Sequence, residues 1–277
     1  VSSIFLLFVR KELSLELFWV LGVGAFGASL TGFIDDIKSL RATIKLIIQI
    51  LLSVWVLYWL NGFGLFVFDL LPNFIVILVI GFFLVFLMNA YNFMDGIDGM
   101  AASGAIFFSI TLALVLITKE NYQTALIFLI LASTVGGFLF FNWPPASIFM
   151  GDAGSLFLGY TFGSLFLYTV ITSSITIWTW LVVFGYFFSD TVFTQITRII
   201  ILKKWYVGHR SHAYQNLARI SNSHYKVTAG VTAYHLLWLF PLTFWTVLQP
   251  DFAFIAVFLA IVPGLLLAYL YGPLFSS

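Results

Sequence analysis

Long apolar runs, interrupted at short intervals by polar clusters, set the pattern of this chain. Reading each run between its polar breaks gives crossings at residues 15–34, 44–60, 74–88, 100–117, 125–141, 156–171, 175–202, 227–248 and 252–271, after a partial run that ends near Val9. About 20 apolar residues carry a helix across a bilayer, so the pattern predicts about nine full spans and one stub. The runs are continuous, whereas a transmembrane barrel needs segments of about ten residues with alternating polarity. The fold class expected is therefore all-α, a polytopic transmembrane helical bundle of about nine to ten spans. No repeat, linker or low-complexity stretch divides the chain, and residues 1–277 are read as one integral membrane domain with an incomplete first span.

Composition removes the soluble alternatives. Hydrophobic residues make up 62% of the chain, aromatic residues 19% and charged residues only 8%, and the mean hydropathy is +1.08. An ordinary soluble domain is about 25% charged. The net charge of +1 says nothing as a sum, and no nucleic-acid partner is expected. With no cysteine, a disulfide framework, a thiol nucleophile and a thiolate metal site are all excluded. The chain opens in an apolar run without a charged leader, so a cleavable signal peptide is not expected.

The breaks between crossings fall into two alternating sets. One contains Arg10, Lys11 and Lys119; the other contains Lys38, Arg41, Lys45, Arg198, Lys203, Lys204, Arg210, Arg219 and Lys226. The excess of Lys and Arg places the second set in the cytoplasm. Asp35, Asp36, Asp95, Asp98 and Asp152 fall on that same side, each acidic cluster two spans from the next. Carboxylates, glycines, histidines and arginines are thus expected on one cytoplasmic face.

Four clusters carry candidate chemistry. Asp35-Asp36 stands at a span end, where adjacent carboxylates need a cation or a proton; taken alone, a solvated helix end with Lys38 and Arg41 as counter-charges explains it better, because a bare Asp-Asp pair is common. Asn89, Asn92, Asp95 and Asp98, with Gly96 and Gly99, form a polar turn between spans. Asp95 and Asp98 would share a face if helical, and the glycines would admit a ligand close to the backbone. The third cluster runs from Asn142 through Pro144-Pro145 and Phe149 to Gly151-Asp152-Ala153-Gly154-Ser155. The prolines end one helix, and the next opens at Gly151, with Asp152 either a helix cap or the ligand of a hard cation such as Mg²⁺ beside phosphate oxygens. The fourth, His209-Arg210-Ser211-His212-Ala213-Tyr214-Gln215, offers charge and directional donors to an anion. His224 is read as loop surface and His235 as a hydrogen-bonded helix residue. Asp190, inside an apolar run, is either a functional intramembrane carboxylate or an orienter of the helix that feeds the basic stretch.

Together these pieces resemble the polyprenyl-phosphate N-acetylhexosamine-1-phosphate transferases, relatives of phospho-N-acetylmuramoyl-pentapeptide transferase. The matching motifs are Asp35-Asp36, Asn89-x-x-Asn92-x-x-Asp95-Gly-Ile-Asp98-Gly, and Asn142-x-x-Pro145-Ala-x-x-Phe149-Met-Gly-Asp152-x-Gly-Ser, with Asp190 and Arg198 ahead of the histidine segment. Their order and spacing agree along nearly the whole chain. In that segment Arg210 and His212 match, while His209 replaces an acid and Tyr214 and Gln215 replace histidines. This version resembles the bacterial O-antigen-initiating branch, and it lacks the triple histidine of the muramoyl-pentapeptide enzyme. The family's first span and its Pro- and Arg-rich loop have no counterpart in these residues.

The resemblance implies transfer of an N-acetylhexosamine 1-phosphate from a UDP-sugar to polyprenyl (undecaprenyl) phosphate, with release of UMP, at the cytoplasmic face of the bacterial inner membrane. It implies Asp152 as the Mg²⁺ ligand, with Mn²⁺ as the alternative ion. Asp35 and Asp36 act on the lipid phosphate or the metal, and Arg210 and His212 act as phosphate contacts. Asn89, Asn92, Asp95, Asp98, Asn142, Phe149 and His209 are the expected substrate-binding residues, and a homodimer is compatible with the family. The rival class, a transporter, needs its polar residues at the bilayer midplane. A CDP-alcohol phosphotransferase needs an Ala-Arg pair where Met100-Ala101 follows Gly99.

Overall fold

In the computed structural model, residues 13–60, 73–202 and 210–275 are described, and every regular element among them is helical. The helices are α1 (Leu15–Lys38), α2 (Ala42–Trp59), α3 (Asn73–Phe93), α4 (Met100–Thr118), α5 (Tyr122–Asn142), α6 (Gly151–Ile171), α7 (Ile177–Val183), α8 (Gly185–Ile201), α9 (Ala213–Ser221), α10 (His224–Leu248) and α11 (Ala253–Tyr271). Eight of them are long and apolar enough to cross a membrane, or nine spans if the α7–α8 pair counts as one. The chain is a multi-pass membrane protein. The partial run ending near Val9 and the residue His209 lie outside the described residues.

One difference from the sequence reading is the run 175–202, expected as a single span. It is broken at Phe184, and the two helices α7 and α8 are bent by 78°. The reason is local packing. A side chain at Gly185 would stand 3.1 Å from Ala260, so the glycine lets α11 approach where the helix turns.

The described residues form two compact units, those up to Asn92 with Met150–Ser174, and Phe93–Phe149 with those from Ile175 onward. In the first unit α1, α2, α3 and α6 pack together. Ser14 starts α1 by accepting the Leu17 N–H, and Ser39, in a left-handed conformation, ends it. Gly32 sets the contact between α1 and α6: a Cβ there would lie 2.1 Å from the Asp152 carbonyl oxygen. That close approach brings the next turn of α1, with Asp35 and Asp36, to the start of α6. At the opposite ends of α1 and α2 the Trp19 and Trp59 rings stack at 5.4 Å, and the Trp55 indole N–H donates to the Trp19 carbonyl. Such amphipathic rings suit a membrane–water boundary.

In the second unit α4 is the most enclosed helix, with 78% of its apolar window buried. Its Phe108 packs on Phe184 at 4.0 Å, and Phe107 stacks on the His235 ring at 4.7 Å. His235 departs from the expectation of a hydrogen-bonded helix residue. It is 1% exposed, and among the described residues neither ring nitrogen has a hydrogen-bond partner. Pro263, inside α11, cannot donate to the Leu259 carbonyl four residues earlier. The Trp238 indole N–H does so instead at 3.0 Å, satisfying a polar group that lipid would leave bare.

Candidate active site

Most of the polar residues predicted in the first unit join a single network. Asp35 is buried at the end of α1, where its Oδ1 accepts the Leu40 N–H at 2.7 Å. The turn at 39–41 reverses the chain, so that Lys45, in the first turn of α2, returns to Asp35. Its Nζ lies 2.6 Å from Asp35 Oδ2 and 3.5 Å from Asp152 Oδ2. Asn92 donates from one amide to Asp152 Oδ1 at 2.7 Å and to Ser155 Oγ at 2.9 Å. Asn89 stands one turn away and pairs with Gln49 through both amide groups.

Asp36 plays a part that spacing could not reveal. Its Oδ1 accepts the Asp152 N–H at 2.9 Å and its Oδ2 accepts the Ala153 N–H at 3.1 Å. The first-turn N–H groups of α6, expected to face phosphate, are therefore held by a carboxylate, whose charge also suits the helix N-terminus. Asp152 itself makes no capping bond; its side chain points to Lys45 and Asn92 instead. Two carboxylates, Asp35 and Asp152, share one ammonium here, with Asp36 held beside them by the backbone of α6.

No site role was read from the sequence for Lys45, Gln49 or Ser155. The signal was present for two of them: Lys45, Gln49 and Ser53 recur every four residues along an otherwise apolar helix, which puts them on one face.

The second unit contains a cavity of about 530 Å³. Its wall includes Asp98, Pro144, Arg210, Gln215, Arg219 and His224. Residues 94–99 form turns rather than helix, so Asp95 and Asp98 do not share a helical face. Asp98 Oδ2 accepts the Ala146 N–H at 3.2 Å, and its Oδ1 lies 3.2 Å from His224 Nδ1. His224 is thus part of the wall; it is exposed, as expected, but opens α10 instead of lying in a loop. Gly96 is exposed and lines the cavity, whereas Gly99 is buried. A Cβ on Gly96 would meet the Tyr214 hydroxyl and the Gln215 amide at 2.3 Å, and one on Gly99 would meet Pro144 and Thr228 at 3.2 Å.

Asn142 is 3% exposed. It accepts the Gly99 N–H at 3.0 Å and donates to the Ile148 carbonyl at 2.9 Å, tying the Asp98 turn to the loop after α5. Phe149, on that loop, is 76% exposed. Asp95 is half-buried, and its charge, with that of Asp190, adds to the burial that lifts the Tyr214 phenol well above its ordinary range. The phenol stays protonated and donates to the Phe93 carbonyl at 2.6 Å.

His212 does not line the cavity. Its side chain is 1% exposed and lies 3.5 Å from Asp190 Oδ1, beside the Phe93 and Tyr214 rings. Asp190 Oδ1 also accepts the Ala213 N–H at 3.1 Å. The buried carboxylate thus anchors the start of α9, and so the segment that carries Arg210. Arg219 donates to the Arg210 carbonyl and to the Asn216 side chain, which fixes the segment from its other side.

Comparison with known proteins matches residues 18–170 to the family described as glycosyl transferase family 4. The probable undecaprenyl-phosphate N-acetylglucosaminyl 1-phosphate transferase of Bacillus subtilis is 31% identical over 213 residues, covering 73% of this chain and 58% of that protein. The phospho-N-acetylmuramoyl-pentapeptide-transferase of Clostridium beijerinckii is 35% identical over 181 residues, covering 59% of this chain and 55% of that protein. The Caldicellulosiruptor bescii protein of the same name is 38% identical over 162 residues, 53% of this chain and 49% of its own length. The chain thus spans about half the length of these relatives. Residues 18–170 contain the Asp35-Asp36, Asn89–Asp98 and Asn142–Asp152 motifs, and on that match the chain belongs to glycosyl transferase family 4, the family of polyprenyl-phosphate hexosamine-1-phosphate transferases.

Proposed function

We propose that this chain forms the catalytic part of an enzyme that transfers an N-acetylhexosamine 1-phosphate from a UDP-sugar to polyprenyl phosphate and releases UMP. An oxygen of the lipid phosphate attacks the sugar-linked phosphorus of the donor. The bond from that phosphorus to the bridging oxygen breaks, and UMP leaves with that oxygen. The product is a lipid-linked sugar that starts a glycan such as the O-antigen of lipopolysaccharide. The observation that carries this reading is the Asp35–Lys45–Asp152 network, because two anions must meet and the ammonium, with a cation held by the carboxylates, would offset their repulsion.

Mg²⁺, with Mn²⁺ as the alternative, fits the oxygen-only donors of Asp152 and Asp35. This ion characteristically takes one or two carboxylates and completes its shell with water and phosphate. Among the described residues no three His, Asp or Glu side chains form a metal cage, so the fit rests on those two. When bound, the ion supplies Lewis-acid polarisation of the diphosphate. Lys45 brings a second positive charge to the same oxygens, while Asp36 and Asn92 hold the first turn of α6 and the Asp152 carboxylate in place. Arg210 contacts donor phosphate, Asp98 and Phe149 contact the nucleoside, and Asn142 and His212 position the segments that bear them.

Purified protein, supplied with undecaprenyl phosphate and a panel of UDP-N-acetylhexosamines, is expected to release UMP only when Mg²⁺ or Mn²⁺ is present. The panel includes UDP-N-acetylmuramoyl-pentapeptide, since two of the relatives carry the corresponding name. Turnover with that donor alone would select the peptidoglycan reaction over the O-antigen one. A folded preparation that is inactive with every donor but moves a solute across vesicles would favour transport.

The same reading places the acidic clusters at the cytoplasmic face of the inner membrane. The natural chain has no cysteine, so single cysteines can be placed at the exposed positions Lys38, Ser147 and Lys226, and at Lys119 on the other set of loops. In intact cells only the Lys119→Cys variant should react with an impermeant thiol reagent. Labelling of Lys38→Cys, Ser147→Cys or Lys226→Cys from outside would break the argument.

A further inference from the structure

The cavity of the second unit holds an imidazole to which neither the motifs nor the family resemblance gives a role. His224, in the first turn of α10, is 46% exposed, and its Nδ1 faces Asp98 Oδ1 at 3.2 Å. Asp98 is itself fixed from two other directions. Its Oδ2 accepts the Ala146 N–H, and its carbonyl accepts the Thr228 hydroxyl at 2.7 Å. The Asp98 backbone N–H also donates to Nδ1 at 3.5 Å, so the Asp98 turn orients the ring through Nδ1 and leaves Nε2 for another partner. Arg210 and Arg219 line the same cavity, so two positively charged side chains share the wall with the imidazole. This is the chemistry of a phosphate site. The ring of Tyr225 on the same wall offers an apolar surface to a base or sugar.

We propose that His224, oriented by Asp98, is a donor-binding residue of this cavity that contacts the phosphate-bearing part of the nucleotide. On this assignment the imidazole that touches ligand is His224 rather than His212, which is buried against Asp190. The inference rests on the transferase reading for the identity of the donor. The cavity wall itself calls only for a phosphorylated ligand.

The test uses the intact protein in detergent or nanodiscs, with UMP as the binding probe and the UDP-sugar as substrate. His224→Asn keeps an amide, able to donate or accept, at the Nδ1 position and removes Nε2, whereas His224→Gln places an amide nitrogen near the Nε2 position. Losing a bond to a charged group corresponds to roughly a 10- to 150-fold change. His224→Asn and His224→Ala should therefore raise the KM for the UDP-sugar and weaken UMP binding by at least about 10-fold, with kcat within about threefold. His224→Gln should restore part of the affinity.

Unchanged KM and UMP affinity in both His224→Asn and His224→Ala would overturn the assignment. So would a Thr228→Val variant that raises KM as much as His224→Asn, because His224 would then act only by strapping α10 to the Asp98 turn. If wild-type protein turns over no donor, yet binds UMP in a way that His224→Asn weakens, the nucleotide site stands and the transferase reading falls. If turnover is normal and His224→Asn changes nothing, the transferase reading stands and this inference falls.

Discussion

Asp152→Asn is expected to lower turnover by about 10²–10³-fold, the rate equivalent of the several kcal/mol that a bound divalent ion contributes to a phosphoryl transition state. The substitution is nearly isosteric. An amide oxygen at Oδ1 still accepts from Asn92, and the first turn of α6 remains capped, because Asp36 and not Asp152 holds the N–H groups of residues 152 and 153. A loss of activity in this variant would therefore report the missing charge and not a missing cap. UMP release at saturating donor and rising Mg²⁺ is the measurement, with thermal unfolding as the check on folding. Near-normal turnover in a folded Asp152→Asn protein would remove the carboxylate from the chemistry altogether. The effect should also far exceed that of Asp36→Asn on turnover per folded molecule, since the Asp36 oxygens are engaged by backbone.

Lys45→Ala is expected to destabilise the first unit by about 3 kcal/mol, the lower end of the 3–5 kcal/mol seen when one partner of a buried ion pair is removed. The lower end applies because the Lys45 side chain is 31% exposed, and solvent screens part of the interaction. Asp35, only 9% exposed, would be left beside Asp152 with no ammonium between them. The cost then comes from the stranded carboxylates, so a second substitution, Asp35→Ala, should recover part of the loss. Denaturant unfolding of the two single variants and the double variant tests this directly, because contacting residues should be non-additive. Additive losses, or a Lys45→Ala protein as stable as wild type, would show that the network contributes little. The same variant should lose activity well beyond its loss of stability, since Lys45 stands beside Asp152.

Sequence and tertiary structure divided the information unevenly. Residue chemistry along the chain determined that the protein is a helical membrane protein, because an apolar run of about 20 residues has no other way to satisfy its backbone in lipid. It also marked out the polar residues that are candidates for chemistry. Asp35, Asp36, Asn89, Asn92 and Asp152 stood out because four or five polar side chains between apolar spans have few structural reasons to be there. Periodicity located the span ends to within a few residues, but it could not see the bend at Phe184, which depends on Gly185 meeting a helix about 75 residues away.

What each polar residue does was decided only in three dimensions. Asp36 and Asp35 are adjacent and chemically identical. The helix turn between them sends one to the backbone N–H groups of α6 and the other to Lys45. His212 and His224 looked like a site residue and a bystander, yet packing buries the first against Asp190 and sets the second on the cavity wall with Asp98. The physical reason is the same in each case. Local sequence fixes a residue's chemistry and its position on a helix, but hydrogen bonds and ion pairs between residues as much as 130 positions apart depend on how the helices pack. The close approach at Gly32 is one such contact, and no local pattern encodes its partner.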